Sequence, residues 1–148
     1  MIKKILVSIL FNFLLFQISL AATINPFPSD SPVGYWEIKS TVSGKVLAVV
    51  QIKLKPDKKL IGHIVKLNHP KEKAAKLLGA TILRNLKQDP SDPSLWTNGT
   101  YIDIFSGREY HCTVKLIENG SQLRVRFSTG LPLLGHQQRW SRVKNLYW

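Results

Sequence analysis

The feature that most constrains this chain is a succession of short segments in which apolar and polar side chains alternate. Turn-forming residues such as Ser43-Gly44, Ser106-Gly107 and Asn119-Gly120 separate these segments. Eight of them are predicted to be strands: Val33–Ser40, Lys45–Leu54, Leu60–Leu67, Ala80–Lys87, Trp96–Ile104, Glu109–Ile117, Gln122–Ser128 and Gly135–Val143. One helical turn is expected around Glu72–Leu77. The spacing indicates an all-β barrel or sandwich.

Two motifs at the ends of this series favour the barrel. Gly34-Tyr35-Trp36 opens the first segment and Trp140-Ser141-Arg142 closes the last. An antiparallel sheet that closes on itself brings its first and last strands side by side, so Arg142 would lie across an indole ring. We therefore predict a single antiparallel barrel of about eight strands over residues 33–143, with Gly34, Trp36, Trp140 and Arg142 closing one end.

The first residues have the form of an export signal. Lys3 and Lys4 precede a nearly unbroken apolar run over residues 5–20, and small residues follow up to Ala21. A transmembrane anchor is the alternative, but polar residues interrupt the run and no basic residues follow it. We expect a cleaved signal peptide over residues 1–21, a Pro/Ser-rich linker over 22–32, a short tail over 144–148, and a periplasmic or secreted protein.

The chain is strongly basic, with a formal net charge of +12. Loss of the signal removes two lysines and leaves about +10. Alternation places Lys115, Arg124, Arg126 and Arg139 on the outer face of the last strands, where they would form a basic stripe. In an exported protein this stripe would contact anionic lipid, lipopolysaccharide or a protein partner rather than nucleic acid. The alternative is a basic surface that only maintains solubility.

The same outward cations exclude a membrane-spanning barrel. An outer-membrane barrel turns an apolar band toward lipid, and each lysine or arginine there costs roughly 2–4 kcal/mol near the midplane. The mature protein is therefore expected to have no membrane span.

Alternation also predicts what the barrel interior contains. Val46, Ala48, Val50, Ile52 and Leu54 share one face of their strand, and Tyr110, Cys112, Val114 and Leu116 share the inner face of another. The residues predicted to line a site for a small apolar or amphipathic ligand are aromatic: Trp96, Tyr101, Tyr110 and Phe127. The alternative is that bulky interior residues fill the barrel completely.

No arrangement of catalytic or metal-binding residues is recognisable. Cys112 is the only cysteine, so no internal disulfide can form, and it lies on the apolar face. The histidines at 63, 69 and 136 lack metal-ligand spacing. Asp103 and Glu109 flank a turn and are expected to form ion pairs rather than an acid–base pair. We predict a protein that is not an enzyme and has no cofactor or metal.

One arrangement would overturn that prediction. Two long connections contain Asn68-His69 and Asp89 to Asp92. These loops would have to converge with His136 over the barrel mouth to build a polar site.

Several segments, in this order, resemble a known family. The strongest is Trp96–Asp103 (WTNGTYID) followed by Ser106–Tyr110 (SGREY), which is similar to the pattern W-x-G-x-I-Y-D-P-x-x-G-x-x-Y. Supporting pieces are Gly62–Val65, Leu-Leu-Gly at 77–79 and 133–135, Leu123–Arg126 and Trp140–Arg142. Together they resemble an uncharacterised family of exported bacterial proteins, domain of unknown function 2147, from Gly34 to Arg142.

The resemblance implies a lipocalin-like, calycin-type barrel in an exported protein. The chain departs from the pattern at Ile104, where the family has proline, and it lacks cysteines found in relatives near the second and third strands. A disulfide of those relatives therefore does not transfer to this chain.

Overall fold

The computed structural model describes residues 30–68, 75–104, 106–130 and 135–144. Within them lie eight strands: β1 (Gly34–Lys39), β2 (Val46–Leu54), β3 (Lys59–Leu67), β4 (Thr81–Gln88), β5 (Leu95–Ile102), β6 (Glu109–Ile117), β7 (Gln122–Ser128) and β8 (His136–Arg142). Every neighbouring pair is antiparallel, and the strands close into a barrel in sequence order. The predicted fold is confirmed.

Four sequence predictions fall wholly or partly outside the described residues. These are the signal peptide, most of the linker, the first half of the helical turn at 72–77, and the tail beyond Lys144. Of the predicted helical turn, residues 75–77 are described and are helical. In the described part of the chain, no helix has the length and apolar character that crossing a membrane requires.

The interior is a single apolar cluster that follows the predicted alternation. On β6 and β7 the pattern is regular: Cys112, Val114, Leu123 and Val125 are buried and pack in one core with Trp36 and Trp140. A regular alternation is expected where two strands pair without interruption, as β6 and β7 do.

The assignment of β2 needs correction at two positions. Leu54, predicted to face inward, is 50% exposed because it is the last residue of the strand, next to the turn at residues 55–58. Val49 has the outward parity but is only 2% exposed. Its cross-strand neighbours are the long side chains of Glu37 and Lys66, whose aliphatic stems can cover it.

Two adjacent bulges reset the alternation on β4 and β5. Asn85 and Asn98 adopt the left-handed conformation, with φ of 62° and 56°. Between Trp96 and Gly99, β5 advances three residues while β6 advances two. The extra residue brings Trp96, Gly99 and Tyr101 to the inner face, although Trp96 and Tyr101 have opposite parity in the sequence.

One end of the barrel, here called the sealed end, is closed by Trp36 and Arg142. The Arg142 guanidinium lies 4.3 Å from the centroid of the Trp36 ring. It donates hydrogen bonds to the carbonyl oxygens of Gly120 (2.6 Å), Val33 (3.1 Å) and Ser31 (2.6 Å). The Trp36 indole N–H donates to the carbonyl of Pro32 at 2.8 Å. Arg142 thus joins the entering chain, the last strand and the β6–β7 turn.

Candidate functional site

A cavity of about 490 Å³ occupies the opposite end of the barrel, here called the cavity end. At this end β1, β3, β5 and β7 finish and β2, β4, β6 and β8 begin. The cavity is lined by Ile38, Leu47, Ala48, Ile64, Leu67, Asn68, Ile82, Tyr101, Asp103, Ile104, Tyr110, Phe127 and Gln138. Most of these side chains are aliphatic or aromatic, so the cavity favours apolar groups.

An aromatic cluster forms one wall of the cavity. Tyr101 and Phe127 are stacked, with ring centroids 4.5 Å apart, and Tyr110 meets Phe127 edge to face at 5.7 Å. Burial raises the pKa of Tyr101 to about 12, and the Asp103 carboxylate adds to the shift. The phenol therefore stays neutral at physiological pH, when it can donate or accept a hydrogen bond.

Three lining residues supply polar groups at different positions around the wall. Asp103, in the β5–β6 connection, accepts a hydrogen bond from the Ser106 hydroxyl at 2.8 Å. The Asn68 side chain donates to the Val46 carbonyl at 2.9 Å. The side-chain oxygen of Gln138 accepts from the Trp140 indole N–H at 3.0 Å. A molecule in this cavity would meet apolar walls with a few oriented polar groups.

The structure brings three of the four predicted lining residues together. Tyr101, Tyr110 and Phe127 line the cavity, but Trp96 does not. Trp96 lies near the start of β5, five residues and roughly 16 Å along the strand from Tyr101. It is buried in the core toward the sealed end. Its side chain does point inward, because of the bulge between Trp96 and Gly99, but position along the barrel axis decides which residues share a cavity.

Much of the cavity wall was absent from the sequence prediction. Ile38, Ala48 and Ile64 were recognisable as inward residues, but nothing in their pattern separates a cavity wall from a packed core. Gln138 was missed altogether. Its signal was available, because it shares parity with Trp140 and is therefore a polar residue on an inward face.

The predicted basic stripe is in register across the outer face. Lys115 lies directly opposite Arg124, and Arg124 lies directly opposite Arg139. Arg126 is two residues further along β7. Lys115 is not a lone cation, because it pairs with Asp92 at 2.9 Å. The Arg124 Nε is buried and lacks a hydrogen-bond partner in the described part of the protein.

The groups considered for catalysis are dispersed. Burial raises the pKa of the Cys112 thiol to about 12, so it is a poor source of thiolate, and His111 is exposed on the other face. Glu109 forms an ion pair with Arg84. Asp92 lies in the β4–β5 loop at the sealed end, whereas Asn68 and His136 lie at the cavity end.

Two predictions about histidines can be placed only in part. His69 lies outside the described residues. His63 shares a hydrogen bond with the Thr81 hydroxyl at 3.1 Å, and His136 packs against Phe127 with ring centroids 5.8 Å apart. In the four described stretches of chain, no group of three or more histidine, cysteine or carboxylate residues is arranged to hold a metal ion.

Comparison with known proteins identifies the family. Residues 34–142 match the family described as "Uncharacterized protein conserved in bacteria (DUF2147)". The chain belongs to this DUF2147 family. The match spans all eight strands, from Gly34 to Arg142, so Trp36 and Arg142, whose side chains seal the barrel, fall within the family's region.

The fold of this DUF2147 protein is similar to a known lipocalin. The solved structure of protein HP1028 from the human pathogen Helicobacter pylori, described as belonging to the lipocalin family, superposes with a TM-score of 0.60. The match covers 76% of this chain and 83% of that one, at 16% sequence identity. At this identity the similarity establishes a lipocalin-like fold. No curated protein matches the chain.

Proposed function

We propose that this DUF2147 protein is an exported carrier that binds one small apolar or amphipathic molecule in its barrel and catalyses no reaction. The observation that carries the proposal is the cavity of about 490 Å³ at the cavity end. Its volume lies within the range of roughly 300–1,000 Å³ of ligand sites, and eight-stranded barrels are wide enough for one small ligand.

The distribution of bulky side chains supports binding at this end. Trp36 and Trp140 are fully buried in the core and do not line the cavity. Tyr101, Tyr110 and Phe127 instead pack against one wall of the cavity. The bulkiest interior side chains therefore leave the cavity free, and the space beside the aromatic cluster is the place for a ligand.

The absence of catalysis is part of the proposal. The groups in the cavity wall that could move a proton are Asp103 and the two tyrosines. The Tyr101 pKa of about 12 makes it a weak acid, and Asp103 is hydrogen-bonded to Ser106. Acid–base catalysis works best with groups whose pKa lies near the working pH. A binding role fits this set of groups better.

Binding is tested by filling the cavity from one strand. Ala48→Trp puts an indole into the wall, because Ala48 is 5% exposed and lines the cavity. The matched control is Lys53→Trp, on the same strand but outward and exposed. We expect a neutral solvatochromic naphthalene dye to bind the native protein and Lys53→Trp, and to lose its signal with Ala48→Trp. Equal signals from all three proteins would show that the dye does not bind in the cavity and would contradict the proposal.

Export and ligand identity are tested on protein expressed with its own N-terminus. N-terminal sequencing of periplasmic material should show a mature chain beginning at Ala22. Mass spectrometry of an organic extract should show a co-purified small molecule that is missing from Ala48→Trp. Material that keeps residues 1–21 would contradict the cleaved signal.

The row Lys115–Arg124–Arg139 favours a second function, contact with anionic envelope components through the outer surface. Such contact should weaken with salt, since exposed charges are screened within about 8 Å at physiological ionic strength. Sedimentation with anionic and neutral vesicles tests it. Binding that ignores lipid charge, or that persists when Arg124→Glu and Arg126→Glu are combined, would refute this function.

A further inference from the structure

The pairing that closes the barrel is short where its first and last strands meet. Although β1 and β8 are described along their full lengths, they share two residue pairs, Trp36 with Arg142 and Glu37 with Ser141. The other neighbouring strands share between four and seven. Both pairs of the β1–β8 seam lie toward the sealed end. Toward the cavity end, the edges of β1 and β8 are not paired with each other.

Two cations flank the part of the seam where the pairing has ended. If the register continued by two residues, Lys39 would lie directly opposite Arg139. Lys39 is paired with Glu37 at 3.2 Å, but both side chains are partly exposed, so this ion pair is weak. In the described residues, Arg139 has no ion pair.

The cavity reaches this seam from both sides. Ile38 on β1 and Gln138 on β8 both line it. In a continued register, the residues around them would close the wall. The cavity is therefore bounded here by the parts of β1 and β8 that are not paired with each other.

Gln138 presents hydrogen-bond donors beside the unpaired part of the seam. Its side-chain oxygen accepts from the Trp140 indole N–H at 3.0 Å, which settles the orientation of the amide because an indole can only donate. The amide NH₂ group then carries two donors on the cavity wall. These donors suit an oxygen atom of a ligand and offer nothing to an ammonium group.

Negative and positive side chains lie on different sides of the cavity. Asp103 lines the wall in the β5–β6 connection, on the side of the barrel opposite the β1–β8 seam. Lys39 and Arg139 flank the seam on its outer side. A negative group is repelled at the Asp103 wall and attracted at the seam.

We propose that the ligand is an anionic amphiphile whose apolar chain lies in the cavity and whose carboxylate lies in the β1–β8 seam. The carboxylate accepts hydrogen bonds from the Gln138 amide and is paired by Arg139 and Lys39. This inference rests on the proposed function, because it names the class of ligand and the position of its charged group.

The test compares three probes with the same chain: a fluorescent polyene fatty acid, its methyl ester and the corresponding amine. We expect the native protein to bind the acid at least about tenfold more tightly than the ester, a difference that one favourable charged contact can supply. The amine should bind most weakly.

Two variants locate the carboxylate. Gln138→Glu keeps an acceptor for the Trp140 indole but replaces the donors with a negative charge, so the fold is retained. Arg139→Gln removes one cation of the seam. Each should weaken binding of the acid about tenfold and leave the ester nearly unchanged. Lys53→Gln makes the same charge change near the sealed end and should change neither affinity.

The results distinguish failure of the seam proposal from failure of the proposed function. If acid and ester bind equally and both seam variants behave like the native protein, the seam proposal is wrong while the cavity proposal stands. If Ala48→Trp binds every probe as well as the native protein, the cavity is not the site and the proposed function fails. If the amine binds most tightly, the Asp103 wall holds the charged group and the assignment of charge is reversed.

Discussion

Replacement of Arg142 tests how the barrel is sealed. The side chain is 8% exposed and donates three hydrogen bonds, to Gly120, Val33 and Ser31, while lying over the Trp36 ring. Arg142→Ala would leave these carbonyls without their charged donor. A buried acceptor that loses its partner costs about 1–3 kcal/mol, and the cation–π contact about 1 kcal/mol.

The net loss is smaller than the sum of these contacts. Burial lowers the pKa of Arg142, which shows that its charge is desolvated, and removing it restores part of that energy. We expect Arg142→Ala to lower the free energy of unfolding by about 3–5 kcal/mol. With a urea m-value of about 2 kcal/mol/M, the midpoint should fall by about 2 M.

Two variants control for charge and for strand position. Arg142→Lys keeps a cation near Trp36 but lacks the planar fork, so about half of the loss is expected. Arg139→Ala changes an exposed arginine of the same strand and should shift stability by less than about 0.5 kcal/mol. Equilibrium urea unfolding followed by tryptophan fluorescence measures all three. A midpoint for Arg142→Ala equal to that of Arg139→Ala would refute the account of the sealed end.

Three further predictions concern the core and its titration. A Cβ at Gly99 would approach Leu86 Cγ, so Gly99→Ala should lower the unfolding free energy by about 1–3 kcal/mol. In a double-mutant cycle, Leu86→Ala should recover part of this loss, and additive losses would contradict the clash. Because burial raises the pKa of Cys112 from 9.0 to about 12, the thiol should resist a thiol reagent at pH 8 until urea unfolds the protein. The unfolding free energy should also fall as the pH rises from 9 toward 12, and it should fall less steeply in Cys112→Ala. An equal slope in the two proteins would contradict the raised pKa of Cys112. The pKa of Asp92 is lowered to about 2, and the largest cause is the hydrogen bond that the Ser94 hydroxyl donates to it. The stability that the Asp92 carboxylate contributes is therefore present above pH 3.8 and lost as the pH falls toward 2. Urea midpoints between pH 2 and 5 should therefore vary less in Asp92→Asn than in the native protein.

The sequence alone determined the strands, their order and the closure of the barrel. Period-two alternation and turn residues are local properties, and each strand pairs with its neighbour in sequence, so local signals suffice. The terminal motifs added the one long-range contact that closure needs, between Trp36 and Arg142. The inward aromatic residues Tyr110 and Phe127 followed from the same alternation.

Only the tertiary structure decided where the interior is filled and where it is empty. The bulges at Asn85 and Asn98 shift parity within a strand, and nothing in a two-residue period marks where an extra residue enters. The separation of Trp96 from the cavity depends on height along the barrel axis, which is set by strand stagger. The β1–β8 seam joins strands about a hundred residues apart in sequence and contains two residue pairs. How far these strands pair is set by the closure of the whole sheet, which no local pattern in the sequence specifies.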